Sequence, residues 1–228
     1  MKVLMHYNPS RLQQTKHAEA FKKLGVEITT NVQADADVHI VSGPHYALKF
    51  WRRHPRLLWV DRAWWGDPDY VSMGWIKKDG TRKFAIGTAF RPHPEPKGWR
   101  KNEQSVLVLA DYKQDVKDLE KAAAKRFGRV LVRRHPSDEK SFMSLETNLG
   151  LVDAAIGTSS TAVFEPLIRG VPTICLDANN ACAPVCAAAL DAPLIRPDRR
   201  QWLHEMSYKQ FRIKEFGLAW EMLREIQD

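Results

Sequence analysis

Two short stretches carry residues whose types and spacing suit an anionic ligand. The first is VRRHPSD (132–138), where Arg133, Arg134 and His135 follow an apolar run and Pro136 fixes the turn behind the histidine. Guanidinium groups and an imidazole can contact phosphate or a base edge. The second is AAIGTSSTAVFEPL (154–167), where Gly157 ends another apolar run and Thr158, Ser159, Ser160 and Thr161 surround the start of a helix. Hydroxyls and unpaired backbone N–H groups at such a start make a seat for phosphate, although a well-capped helix would need the same residues. No lysine follows the glycine in a Walker pattern, so a P-loop NTPase is not expected. Glu165, a few residues into the helix, is spaced to accept hydrogen bonds from ribose hydroxyls.

The elements that must position these residues alternate between strand and helix. KVLMHY (2–7) reads as a buried strand, Pro9-Ser10 opens a helix over about 11–24, and Gly25 stops it. Strands follow at 26–30, 37–43 and 57–61, with a helix-like stretch over 45–53 and short strands in 70–76 and 82–87. RPHPEPKGWRKNEQ (91–104) holds three prolines among many charges and reads as an interdomain linker. The pattern then restarts: strand 105–110, helix 114–128, strand 129–133, a short helix near 145–151, strand 153–157, helix 159–170 and strand 171–177. Apolar strands spaced by helices imply parallel sheets covered on both faces. The expected fold is α/β, with two facing Rossmann-like domains: 1–98 binding the acceptor, 99–207 binding the nucleotide, and a helical tail, 208–228, carrying Phe211, Phe216, Trp220 and Leu223 back toward the first.

The chain has 228 residues, with 35 Lys+Arg against 27 Asp+Glu, a formal net charge of +8 that points to an anionic partner. Eight tryptophans, several among the basic clusters of the first half, offer rings for stacking bases or sugars. Cys175, Cys182 and Cys186 form no CxxC pair and are expected as reduced, partly buried thiols. No apolar run approaches the roughly 18 residues of a membrane span, and MKVLMHYNPS lacks the apolar core of a signal peptide, so a cytoplasmic protein without stable membrane insertion is expected.

A strand ending in HP, a D-x-x-I-G-x-S-S-T turn and a helix with E-P-L-x-x-G-x-P together resemble the nucleotide-sugar-binding half of GT-B glycosyltransferases. The resemblance spans residues 105–180 and is nearest to bacterial sialyltransferase, Kdo-transferase and capsule-polymer families. It implies that His135 and the turn of Ser159 and Ser160 contact the donor nucleotide and its phosphate, and that Glu165 holds the donor ribose or sugar; Arg133 and Thr161, beside them, are further donor-side candidates. An inverting transfer needs one base for the acceptor proton. Asp61, just past the strand in LLWVDRAWWGDPDY (57–70), is the first candidate, with Asp67 and Asp69 behind it; Arg62, Trp64 and Trp65 line the acceptor side, joined by His6 and Asn8. Asp35-x-Asp37 precedes a strand, so no Asp-x-Asp metal site is placed for catalysis; no cofactor is expected and no divalent ion is expected to be essential.

DRAWWGDPDYVSMGW (61–75), in a basic and tryptophan-rich half, also resembles bacteriophage glycosyltransferases that decorate hypermodified DNA. That resemblance implies DNA binding, DNA modification in the host cytoplasm, and a flipped hydroxymethylated pyrimidine as acceptor. Two other readings stand beside it. One is transfer from a CMP-sugar to a surface glycan or lipid-linked acceptor; the other is a non-catalytic nucleic-acid-binding module on the same scaffold.

Overall fold

The computed structural model describes residues 2–43, 50, 54, 56–65, 69–77, 82–136, 138 and 143–226. The chain divides into two compact units, one running to His93 and resuming at His204, the other covering Pro94–Leu203. In the first unit β1 (Val3–His6), α1 (Leu12–Lys23), β2 (Glu27–Thr29), β3 (Val38–Ser42) and β4 (Leu57–Arg62) form the parallel order β2-β1-β3-β4. Both faces are covered, so these strands read as continuous apolar runs. Met5, Ile40, Leu58 and Val60 meet Phe21 of α1 on one side, while Val41, Leu57 and Trp59 meet Phe50 on the other. Of the helix expected over 45–53, only Phe50 lies among the described residues.

The sheet does not stay parallel as expected. β5 (Tyr70–Ile76) runs antiparallel to β4, and β6 (Arg82–Lys83) antiparallel to β5. The seven residues 63–69 between β4 and β5 are too few for a parallel crossover, so the chain must turn straight back.

The second unit repeats the first four strands' order. β7 (Ser105–Leu109), α2 (Lys117–Arg126), β8 (Arg129–Arg133), α3 (Leu145–Gly150), β9 (Ala154–Gly157), α4 (Phe164–Ile168) and β10 (Thr173–Cys175) build an all-parallel sheet in the order β8-β7-β9-β10. Acidic Asp118 and Glu120 open α2 and basic Lys125 and Arg126 close it, which suits the helix dipole. Asp153 pins the start of β7, accepting from the backbone and hydroxyl of Ser105 at 3.1 and 2.8 Å.

The proline-rich stretch is not a free linker. Lys97 N donates to Ile168 O (2.8 Å), Arg100 N to Gly170 O (2.7 Å), and the Arg100 guanidinium to the carbonyls of Leu149 (2.6 Å) and Val152. Gly170 is left-handed at φ +74°, and a Cβ there would strike the Gly98 carbonyl oxygen. From Pro94 onward the segment is therefore sewn onto the second unit.

After α5 (Arg200–Ser207) the tail departs from the single expected helix. Residues 210–212 form β11, antiparallel to β5 with Phe211 opposite Val71, and only Phe216–Arg224 is α-helical (α6). The open edge of β5 offers backbone partners that a helix there would leave unused. Phe211 is fully buried as a result, and the Trp75 indole donates to Leu223 O in α6 at 2.7 Å. No helix among the described residues is long and apolar enough to cross a membrane.

Candidate functional site

Because the strands of the second unit are parallel, their carboxyl ends share one edge, and ligands of such sheets bind beyond that edge where the strand order reverses. The reversal falls between β7 and β9. Leu109 pairs with Arg133 and Val108 with Ile156, so the exits of β8, β7 and β9 bring Arg133–His135, Asp111–Tyr112 and Thr158–Ser160 to the same rim. The HP turn and the serine turn thus lie on one side of their sheet, flanking the β7 exit.

Asp111, which the motif reading missed, decides the electrostatics. Its Oδ2 accepts from Ser159 N (3.0 Å), Ser159 Oγ (2.7 Å) and Thr158 Oγ1. Asn180 Nδ2 supports the turn from behind, donating to the carbonyls of Thr158 (2.7 Å) and Ser160 (3.2 Å). Ser160 Oγ caps the following turn, accepting from Ala162 N at 3.2 Å, and Thr161 is exposed. A 3-10 turn, Thr161–Val163, precedes α4, and α4 itself has only five residues. The expected phosphate seat is therefore revised. The Ser159 N–H and hydroxyl already serve a carboxylate, and the helix behind them is short. Hydroxyls that give their protons to Asp111 present lone pairs outward, so the turn suits hydrogen-bond donors such as ribose hydroxyls or an exocyclic amine.

Cations stand on the β8 side. His135 is half-buried and edge-on to Tyr112 at 5.6 Å between ring centres, and Arg134 is exposed. Arg133 is engaged by the protein, donating to Met143 O (2.7 Å) and Asn148 Oδ1 (2.8 Å). Glu165 is likewise engaged, accepting from Arg169 Nε at 2.6 Å, while Arg169 also bridges to Glu146 at 2.7 Å. A carboxylate held by a guanidinium one turn away is less available to a sugar hydroxyl than the sequence implied. Cys175, Cys182 and Cys186 are buried thiols.

In the first unit Asp61 lies near the end of β4, opposite Ser72 of β5. Burial pushes its carboxyl above the usual carboxylate range, against the opposing pull of the Arg62 backbone N–H (2.8 Å) and the charges of Arg82 and Arg62. Arg82 lies 3.5 Å from the Trp59 ring centre, donates to Ser72 Oγ (3.1 Å), and is lowered to about 10 by burial. A carboxylate made more basic by burial, with a guanidinium near it, suits proton abstraction.

The acceptor-side expectations divide. Arg62 is exposed and Trp65 half-buried, but Trp64 is buried, its backbone N–H donating to Gln210 Oε1 at 2.8 Å. Every described tryptophan is buried or half-buried, so these rings serve packing more than an open stacking surface. Asn8 is half-buried and accepts from the Ser10 hydroxyl at 2.7 Å. His6, expected to line a cleft, is wholly buried. Asp69 is exposed, and Asp67 lies outside the described residues.

No family model matches the chain, and no curated protein matches it. Among solved structures, KpsC of Thermosulfurimonas dismutans, described as a beta Kdo 2,7 transferase, is similar to it with a TM-score of 0.56, over 98% of this chain and 99% of that one, at 12% identity. The likeness shows the fold: a mixed α/β chain with parallel, Rossmann-like sheets.

Proposed function

We propose that this chain is a glycosyltransferase using a nucleotide-sugar donor, with a CMP-activated acidic sugar as donor and a glycan hydroxyl as acceptor. The observation that carries the reading is the rim of the second sheet. There a histidine and an arginine at the β8 exit stand across the β7 exit from a hydroxyl turn whose protons are drawn to Asp111. His135 and Arg134 take the phosphate and the sugar carboxylate. The lone pairs of Thr158 and Ser159 accept from the nucleoside. In the transfer the acceptor oxygen bonds to the anomeric carbon, the nucleotide phosphate departs with the electron pair of the broken C–O bond, and the acceptor proton passes to a base, for which Asp61 is the candidate. The fold likeness to a Kdo transferase, and the buried or half-buried state of every described tryptophan, favour a glycan over a DNA base.

The test crosses CMP-, UDP-, GDP- and dTDP-sugars with glycan acceptors and hydroxymethylated duplex DNA, reading donor turnover and melting temperature. CMP-sugar turnover with a glycan, and a rise in melting temperature lost in His135→Ala, are expected. Transfer to DNA would move the acceptor to that class. DNA binding without nucleotide affinity would replace the enzyme by a binding module, and silence across the panel would end the proposal.

A further inference from the structure

Three histidines distant in sequence meet inside the first unit. His6 ends β1 and His39 lies in β3, the neighbouring parallel strand, where Leu4 pairs with His39. Side chains alternate along strands, so His6 and His39 project from the same face two residues apart. His54 joins them: its ring centre lies 3.7 Å from that of His39 and 5.5 Å from that of His6. One ring nitrogen from each of the three lies within 4.8 Å of the other two.

The surroundings give these rings little reason to be polar. They share their face of the sheet with Val41, Leu57, Trp59 and Phe50, and the Phe50 ring centre lies 4.7 Å from that of His6. His6 Nε2 and His39 Nδ1 share one hydrogen bond at 2.7 Å, and His54 Nε2 donates to Val32 O at 2.9 Å. That leaves His6 Nδ1, fully buried, with no hydrogen-bond partner, although the Asn31 backbone is near enough to act on the ring. The Nδ1–H of His6 is served by that backbone once the ring turns slightly, and the inward nitrogens of three imidazoles then converge in an apolar pocket with one proton between His6 and His39, an arrangement that calls for a partner the protein itself does not supply.

We infer that His6, His39 and His54 bind a divalent transition-metal ion of the zinc class, stapling β1, β3 and the segment before β4. Three imidazoles without thiolate or carboxylate suit zinc, cobalt, nickel or copper rather than magnesium or calcium. A small parting of the His6–His39 contact replaces the shared proton by the ion, with the His6 proton carried on the other ring nitrogen. Asp35 is a carboxylate close enough to act on His39 and to offset part of the ion's charge.

The experiment uses the full chain stripped with a chelator and titrated with Co2+, then with Zn2+ in competition. One equivalent of cobalt with tetrahedral d–d absorption, displaced by zinc, is expected. His39→Gln and the half-buried His54→Gln should each weaken binding at least about tenfold. Circular dichroism confirms that each variant is folded; should neither fold, the wild-type spectrum still decides. Absence of stoichiometric cobalt, unchanged affinity in a folded variant, or a thiolate-to-cobalt charge-transfer band placing the ion at the cysteines overturns the inference.

Discussion

The two units share a strand order and differ in what they place around it. β2-β1-β3-β4 and β8-β7-β9-β10 are the same parallel arrangement, each reversing between its first and third strands. In the second unit the exits at that reversal are polar, with Asp111 gathering Thr158 and Ser159. In the first, β1 ends in a fully buried histidine, and the candidate base, half-buried Asp61, stands on β4 instead. Strand order is set by crossovers and apolar faces, whereas the chemistry depends on the one or two residues that follow each strand. The same scaffold can therefore hold a polar rim in one copy and a buried cluster in the other.

Four substitutions test that contrast. Asp61→Asn should lower transfer by about 100-fold or more if this carboxylate is the base. Its raised pKa means that ionised Asp61 costs stability, so its stabilising contribution is present at low pH and lost as pH rises through its folded pKa. Asp61→Asn should thus be at least as stable as the parent at neutral pH, and the acid limb of kcat/KM, with its midpoint above the ordinary Asp value, should disappear. Normal turnover in that variant would move the base to another residue. Phe211→Ala removes a fully buried ring from β11 and should cost the first unit about 3–5 kcal/mol in urea unfolding. Gly170→Ala, strained in φ and blocked by the Gly98 carbonyl, should cost the second unit roughly 3 kcal/mol. If the two variants shift the same single transition, the units do not unfold separately. Asp111→Ala should cost only about 1 kcal/mol, because water can replace it at exposed Ser159, yet weaken CMP binding severalfold by calorimetry. A gain in affinity would mean that the carboxylate blocks the site rather than orienting it.

Much of the architecture was legible in the sequence because buried parallel strands are plain apolar runs. SVLVL, AAIG and LLWV each became the strand their residues implied. β11 was not, because Phe211, Phe216, Trp220 and Leu223 mimic helical spacing, while the partner that makes 210–212 a strand lies some 140 residues earlier. The serine turn was legible as a motif, but its electrostatic state was not. That state depends on Asp111, 47 residues upstream of Thr158, whose only local sign was an acid directly after a buried strand. His6, His39 and His54 follow no ligand spacing at all; strand pairing brings the first two together and only the tertiary fold adds the third.

The position of β11 in the chain also sets an order of synthesis. All four strands of the second sheet have been translated by Cys175, whereas the first sheet waits for Gln210–Arg212 to cover the flank of β5. A nascent chain leaving the ribosome can therefore complete its later half before its earlier one, and until then a strand bearing Val71 and Met73 keeps an unpaired backbone edge. Products cut short before residue 210 would carry that edge permanently, and pairing with a neighbour would be their natural route to aggregation.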